Sequence, residues 1–256
     1  MKICAIANQK GGVGKSIVTV HLAHYAAEKG LRVLVVDFDA QRNTTKFLMP
    51  ENGHPSLFAS MLFQDHIEDG KAPVVCSEHM RLISGDSGLK MIDAVQADEA
   101  RLLQLPRKHL RSMTDCDLIV IDTPPTNERC YMAALVAADA VLTPFTLDGF
   151  TIDGTMELNN TFRTVQSRHK NPALKHIGIV ANRVNPRGKS HKDTLAAIRQ
   201  SGIRVMPTVL IERAAVQDSI WDAKPVWKLR HQGASGRKAS HEMRAVCAAV
   251  CKELSL

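Results

Sequence analysis

Residues 9–16 read Gln-Lys-Gly-Gly-Val-Gly-Lys-Ser, and the fold is decided by that stretch. Gly11, Gly12 and Gly14 allow a tight turn whose backbone N–H groups can close on phosphate oxygens. The pattern is a phosphate-binding loop, G-x-x-x-x-G-K-[ST], with two departures: Gln9 stands in place of the first glycine, and Lys10 adds a second lysine. Lys15 is expected to reach the β- and γ-phosphates of a nucleotide, and the Ser16 hydroxyl to sit on Mg²⁺. The flanks agree. Lys2–Asn8 is a short apolar strand, and Ile17, Val20, Ala23 and Ala26 recur at helical spacing before Gly30 closes the helix. That helix would direct its positive end at the loop.

Working outward, a second apolar run, Arg32–Val36, ends in Asp37-Phe38-Asp39-Ala40-Gln41-Arg42-Asn43, and a third, Leu118–Ile121, ends in Asp122-Thr123-Pro124-Pro125. Ligands of open α/β sheets bind at the carboxyl ends of the strands. Asp122 is therefore expected in the Mg²⁺ shell. An aspartate closing a strand can also be a cap or turn residue, but two such strands behind one phosphate loop favour metal and water. Strand and helix signals go on alternating: strands at Arg81–Ser84, Ala140–Thr146, His176–Ala181 and Ile203–Pro207, helices at Asp98–Met113 (disturbed at Pro106), Asn127–Ala137, Thr151–Arg168, Ser190–Ser201, Ala214–Trp221 and Lys238–Leu254. The expected fold class is α/β: a single doubly wound, mainly parallel sheet flanked by helices, spanning residues 1–256.

Lys and Arg total 33 against 26 Asp and Glu, a net charge of +7 that suits an anionic partner without identifying one. The six cysteines form no C-x-x-C pair and read as reduced thiols of a cytoplasmic protein. No apolar run is long enough to span a membrane, and with a strand starting at residue 2 no signal peptide is expected.

Three motifs, residues 7–16, Asp37–Gln41 and Ile121–Pro125, together resemble the ParA/MinD superfamily of deviant Walker A ATPases, P-loop NTPases. The chain is most similar to short ParA-type partitioning ATPases of plasmids or chromosomes. The resemblance implies Mg²⁺-dependent hydrolysis of ATP to ADP, with Gly11, Gly12, Val13, Gly14, Lys15, Ser16 and Ile17 around the nucleotide. Lys10 matches the signature lysine that reaches the partner's nucleotide across an ATP-dependent homodimer. Lys10, Lys15 and Asp39 take the catalytic positions, Asp39 orienting water; Ser16, Asp37 and Asp122 surround the metal. Asn182 matches a position near the adenine, although an asparagine after a strand is also a common turn residue. Four positions depart from the family pattern: Ser16 replaces the commoner threonine but keeps its hydroxyl, Ile17 replaces threonine or serine, and Ala40 and Arg42 replace a proline and a glycine.

Between residues 224 and 244 stand six Lys/Arg and one acid, Glu242, around a small-residue segment, 230–236, that reads as flexible. Such a surface either binds phosphates without reading bases or is a solvated basic face. The resemblance favours nonspecific double-stranded DNA, with Lys228, Arg230, Arg237 and Lys238 as contacts and Arg213 as a further candidate. It also implies a ParB-type centromere-binding partner and association with the nucleoid. Trp221 and Trp227 are expected to pack rather than stack on bases. With the phosphate loop nine residues from the start, neither an N-terminal helix-turn-helix domain nor sequence-specific operator binding is expected. Met243, Val246, Cys247, Val250, Cys251 and Leu254 form an apolar stripe that lacks the bulky residues of a membrane-lying helix, so core packing is expected and no membrane partner. Three rivals remain: a MinD-like membrane-positioning ATPase, an iron–sulfur electron-transfer ATPase of the nitrogenase iron-protein kind, and a P-loop enzyme acting on a metabolite.

Overall fold

Branched and apolar runs form seven strands: β1 Lys2–Ile6, β2 Val33–Asp37, β3 Val74–Ser77, β4 Met80–Ile83, β5 Leu118–Asp122, β6 Ala140–Thr146 and β7 Lys175–Asn182. Among the described residues, eight α-helices alternate with them: α1 Lys15–Glu28, α2 Asn43–Leu48, α3 Glu99–Ser112, α4 Arg129–Ala137, α5 Ile152–Ser167, α6 Lys189–Gln200, α7 Ala214–Trp221 and α8 Ala234–Leu254. The structure, a computed structural model, describes all residues except 127, 149–151, 169–170, 201–202 and 231–232, and it leaves out the side chains of 152–158. The expected helix starts at Asn127 and Thr151, the end at Ser201 and part of the segment 230–236 lie outside the described residues.

The sheet order is β3-β4-β2-β5-β1-β6-β7. All neighbours are parallel except β3 and β4. Period-two alternation sorts the central strands between two cores. Ile3, Ala5, Ile119 and Ile121 face the layer of α3, α4 and α5, whereas Cys4, Ile6, Leu118 and Val120 face that of α1, α2, α7 and α8. Continuing this alternation carries Asp37 and Asp122, partners in the β2–β5 register, to the α1 side at the strands' carboxyl ends. The α8 stripe is buried in that second core, as its spacing predicts. Pro144 is tolerated inside β6 because β1 has already ended beside it, and the Asn8 side chain donates to its carbonyl at 2.7 Å.

Several boundaries differ from the sequence reading. β3 is an additional antiparallel edge strand, half exposed and lacking the apolar run that marks its neighbour β4. The segment 203–207 makes an isolated bridge, Ile179 to Val205, and not a strand: after Met206 N–H meets the Ile179 carbonyl at 2.8 Å, the next backbone bond to β7 comes from Leu210 N–H to the Ala181 carbonyl at 2.8 Å, four residues on. α3 runs unbroken through Pro106, whose ring is buried. α8 begins at Ala234, four residues before its expected start, so Arg237 and Lys238 lie in its opening turns and not in or beside a flexible loop.

Candidate functional site

The phosphate loop starts from a fixed anchor. Asn8 Oδ1 accepts from the Lys10 backbone N–H at 2.9 Å. Gly12 and Gly14 have φ of 72° and 97°, and a Cβ on Gly14 would stand 2.2 Å from Asn182 Nδ2. Only glycine therefore fits between the loop and β7. Asn182 donates from Nδ2 to the Val13 carbonyl at 2.8 Å, tying the end of β7 to the loop, while the Val13 side chain is buried in the core. Lys15 Nζ folds back onto the Lys10 carbonyl at 3.1 Å. Burial pulls the Lys15 ammonium below its ordinary pKa, and Asp122 and Asp39 push it back up.

Asp122 is fully buried. Thr44 Oγ1 donates to its Oδ2 at 2.7 Å, and the Ser16 hydroxyl also hydrogen-bonds the carboxylate. Asp37 Oδ2 accepts from Thr45 N–H at 2.8 Å and Thr45 Oγ1 at 2.7 Å, and Oδ1 accepts from Asp39 N–H at 3.1 Å. Burial raises both carboxyls above their usual range, and for Asp37 the neighbouring Asp122 charge adds to it. Asp39 Oδ1 accepts from Gln41 N–H at 2.8 Å.

A cavity of about 530 Å³ is lined by Gly11, Gly12, Gly14, Lys15, Ser16, Ile17, Asp39 and Asn182, closed on its far side by Arg183 and residues 211–213 and by α7. The structure thus brings together the loop, the water-orienting candidate and the adenine-side candidate. Lys10 is exposed, its Nζ donating to the Asp148 carbonyl of its own chain at 2.9 Å. Asp122 and Asp37 lie beneath the loop, Asp37 with both oxygens engaged by its own loop. Oxygen donors from Ser16 and Asp122 suit a hard cation such as Mg²⁺, which takes few protein ligands beside phosphate. Sequence reasoning missed the residues that hold these acids: Thr44, Thr45 and Gly85, whose N–H donates to Thr45 Oγ1 at 2.9 Å and on which a Cβ would press at 3.0 Å on the Asp37 and Asp39 carbonyls. A Thr-Thr pair just after an Asp-x-Asp strand end was the available signal.

The basic candidates separate. Arg213 lines the nucleotide-sized cavity and pairs with Glu242 at 2.7 Å, so its charge is already matched. Lys228 pairs with Glu28 at 2.9 Å, as does Arg244 at 3.0 Å. Arg230, Arg237 and Lys238 are exposed, and the last two line a surface depression with His241 and Glu242. Trp227 packs as expected, its Nε1 on Glu28 and the Arg244 guanidinium over its ring at 4.5 Å. Trp221 does not: it is 87% exposed, because α7 ends in a turn that leaves its last residue outside the α7–α8 contact. Among the described residues, no helix is long and apolar enough to cross a membrane.

Comparison with known proteins agrees with this geometry. A family model described as an AAA domain matches residues 1–176. Protein IncC of Escherichia coli is 34% identical over 253 residues, covering 96% of this chain and 68% of IncC. The chromosome-partitioning ATPase Soj of Thermus thermophilus is 31% identical over 209 residues, 80% of this chain and 79% of Soj. The structure of cobyrinic acid a,c-diamide synthase from Mycobacterium smegmatis with bound ATP analogue and magnesium superposes with a TM-score of 0.77 at 22% identity over 100% of this chain and 96% of that one, a likeness of fold. A deviant phosphate loop above two carboxylate-ended strands, a doubly wound sheet and relatives of this kind place the chain in the family of ParA-type partitioning ATPases.

Proposed function

We propose that this chain is a Mg²⁺-dependent ATPase that partitions DNA, residues 1–256 acting as one unit. The observation that supports it most is that Lys15, Ser16 and Asp39 line one cavity while Lys10, in the same loop, is exposed. ATP lies along the loop amides, and Lys15 exchanges the Lys10 carbonyl for phosphate oxygens. Ser16 and Asp122 would hold Mg²⁺, which would supply charge neutralisation at the phosphates. Asp37 stands behind this pair and fixes the 37–45 loop through Thr45. Asp39, held through Oδ1 by Gln41, orients the attacking water. Asn182 and its neighbours border the base.

Lys10 leaves the Asp148 carbonyl of its own chain to reach the phosphates of a second copy, so ATP closes a homodimer. The dimer doubles the exposed cations Arg230, Arg237 and Lys238 and binds DNA of any sequence through its phosphates. A ParB-type centromere-bound partner stimulates hydrolysis, ADP opens the dimer and the DNA is released. The setting is the cytoplasm, on the nucleoid.

The test is retention of DNA of arbitrary sequence by wild type and Asp39→Ala, with no nucleotide, ADP or ATP, over a salt series. Salt-sensitive binding that requires ATP and persists in Asp39→Ala is expected, with hydrolysis reduced about 10²-fold or more. Absence of DNA binding in every state would overturn the partition reading, and wild-type hydrolysis by Asp39→Ala would overturn the catalytic assignment.

A further inference from the structure

Glu242 is the one acid among the six cations of residues 224–244, and its carboxylate is taken up by the wall of the nucleotide cavity. Arg213 Nη2 donates to Glu242 Oε1 at 2.7 Å, and the Ile211 N–H donates to Oε2 at 3.2 Å. The Arg213 and Glu242 side chains are 13% and 16% exposed. A second strand of the same tie runs from Arg213 Nη1 to Ser235 Oγ at 3.5 Å, in the first turn of α8. Ile211, Glu212 and Arg213 all line the cavity. Their segment is stitched to the end of β7 by Val184 N–H to the Leu210 carbonyl at 3.0 Å and Glu212 N–H to the Val184 carbonyl at 3.2 Å. β7 ends at Asn182, which bonds the phosphate loop. Hydrogen bonds and short backbone links therefore connect the loop to the opening turns of α8, where Arg237 and Lys238 share a surface depression with Glu242.

We propose that Glu242 is a positioning residue that transmits occupancy of the nucleotide cavity to the cationic turns of α8, with Arg213 as its contact in the cavity wall. The inference rests on the DNA-binding reading above and names the link between its two halves. A charge-assisted Arg–carboxylate pair with little solvent access holds its geometry more tightly than an exposed one. Nucleotide in the cavity restrains residues 211–213, and the pair passes that restraint to residues 234–242. Beyond this segment Met243, Val246, Cys247 and Val250 hold α8 in the core, whereas within it Ala239 alone joins that cluster. Ordering Arg237 and Lys238 before DNA arrives lowers the entropy lost on binding, so nucleotide and DNA favour each other without any new contact. The pair has an electrostatic effect as well: while Arg213 matches Glu242, that carboxylate does not oppose phosphates at the neighbouring cations.

The experiment compares wild type with Glu242→Gln, which keeps the size and the acceptor for Ile211 N–H but loses the charge. Amide hydrogen exchange over 234–242 is followed with and without a non-hydrolysed ATP analogue, beside affinity for a fluorescent nucleotide and for DNA. In wild type, nucleotide slows exchange in this segment and raises DNA affinity by about tenfold or more. In Glu242→Gln both responses vanish, the DNA ratio falling to about one, while nucleotide affinity stays within about twofold. A variant that keeps the nucleotide-dependent protection overturns the proposal. If wild type binds no DNA at all, the partition reading fails, and the exchange arm still judges the link. Should Glu242→Gln not fold, Glu242→Asp, which keeps the charge but shortens the reach, is expected to show both responses weakened; unweakened responses there overturn the proposal equally.

Discussion

The two charged regions of this molecule are built on opposite terms. At the phosphate loop, Lys15, Asp37, Asp39 and Asp122 are buried, within the low-dielectric end of the sheet. Lys15, Asp39 and Asp122 shift their neighbours' pKa values, and hydroxyls of Ser16, Thr44 and Thr45 hold Asp37 and Asp122 in place. Around the start of α8, the cations lie at the surface. Their effect depends on whether an acid from another element has already matched them: Glu28 on α1 takes Lys228 and Arg244, and Glu242 takes Arg213. Burial makes each charge in the first region specific and costly to move. Exposure makes the second region adjustable, additive and sensitive to salt.

The sharpest way to break the first region is steric. Gly14→Ala sets a Cβ against Asn182 Nδ2 at a φ of 97°, so the loop must shift. Nucleotide binding is expected to fall about 10²-fold or more, measured by fluorescent nucleotide titration, with the protein still folded. An unaffected affinity would mean that the loop and β7 need not stay tied.

The second region is tested by contrast within it. Arg230→Glu or Lys238→Glu should weaken ATP-dependent DNA binding several-fold and lower the salt slope by about one for each phosphate no longer neutralised. Lys228→Ala should leave the slope nearly unchanged, because its charge is spent on Glu28. Equal slopes for all three variants would erase the distinction between matched and exposed cations.

Proton linkage distinguishes the regions next. Burial raises the pKa of folded Asp122 to about 6, so between the unfolded carboxylate value and about 6 the nucleotide-free protein keeps a proton that the unfolded chain has released. The stability from this group is present below the unfolded carboxylate pKa and lost as pH rises through the raised value. A metal needs the ionised form. The melting-temperature gain from Mg²⁺ and ADP should therefore be larger at pH 8 than at pH 5.5, read by thermal shift; DNA-site variants should leave this difference unchanged.

The smallest effect concerns the loop that joins β2 to α2. Arg42 has φ 62°, the left-handed region, at the position where the family pattern has glycine. Arg42→Gly should raise stability by up to about 1 kcal/mol, seen in a denaturant midpoint. A loss instead would show that the Arg42 side chain makes an interaction worth more than its backbone strain.

Residues 9–16 could be read directly because adjacent backbone groups do the work: Gly12 and Gly14 supply the left-handed turns, Lys15 the cation, and α1 follows at once. The central strands were legible for the same reason, since a continuous apolar run is a local property of the chain. Thr44, Thr45 and Gly85 were not, because their value lies in which carboxylate they meet, Thr44 acting on an acid 78 positions away. β3, half exposed at the sheet edge, lacks a full apolar run, and the early start of α8 passes through Ser235 and Gly236, whose weak helix propensity hides it.

By itself the sequence determined the phosphate loop, the two carboxylate-ended strands, the apolar stripe of α8 and, through them, the family. Only the tertiary structure decided which basic residues of 213–244 are paired with an acid from elsewhere in the chain, that Trp221 is exposed while Trp227 packs, and that Glu242 on α8 pairs with Arg213 of the cavity wall. The reason is physical. Backbone turns and strand periods are set by neighbours along the chain, whereas the fate of a charge is set by the nearest opposite charge in space, which for Lys228 lies 200 positions away on α1.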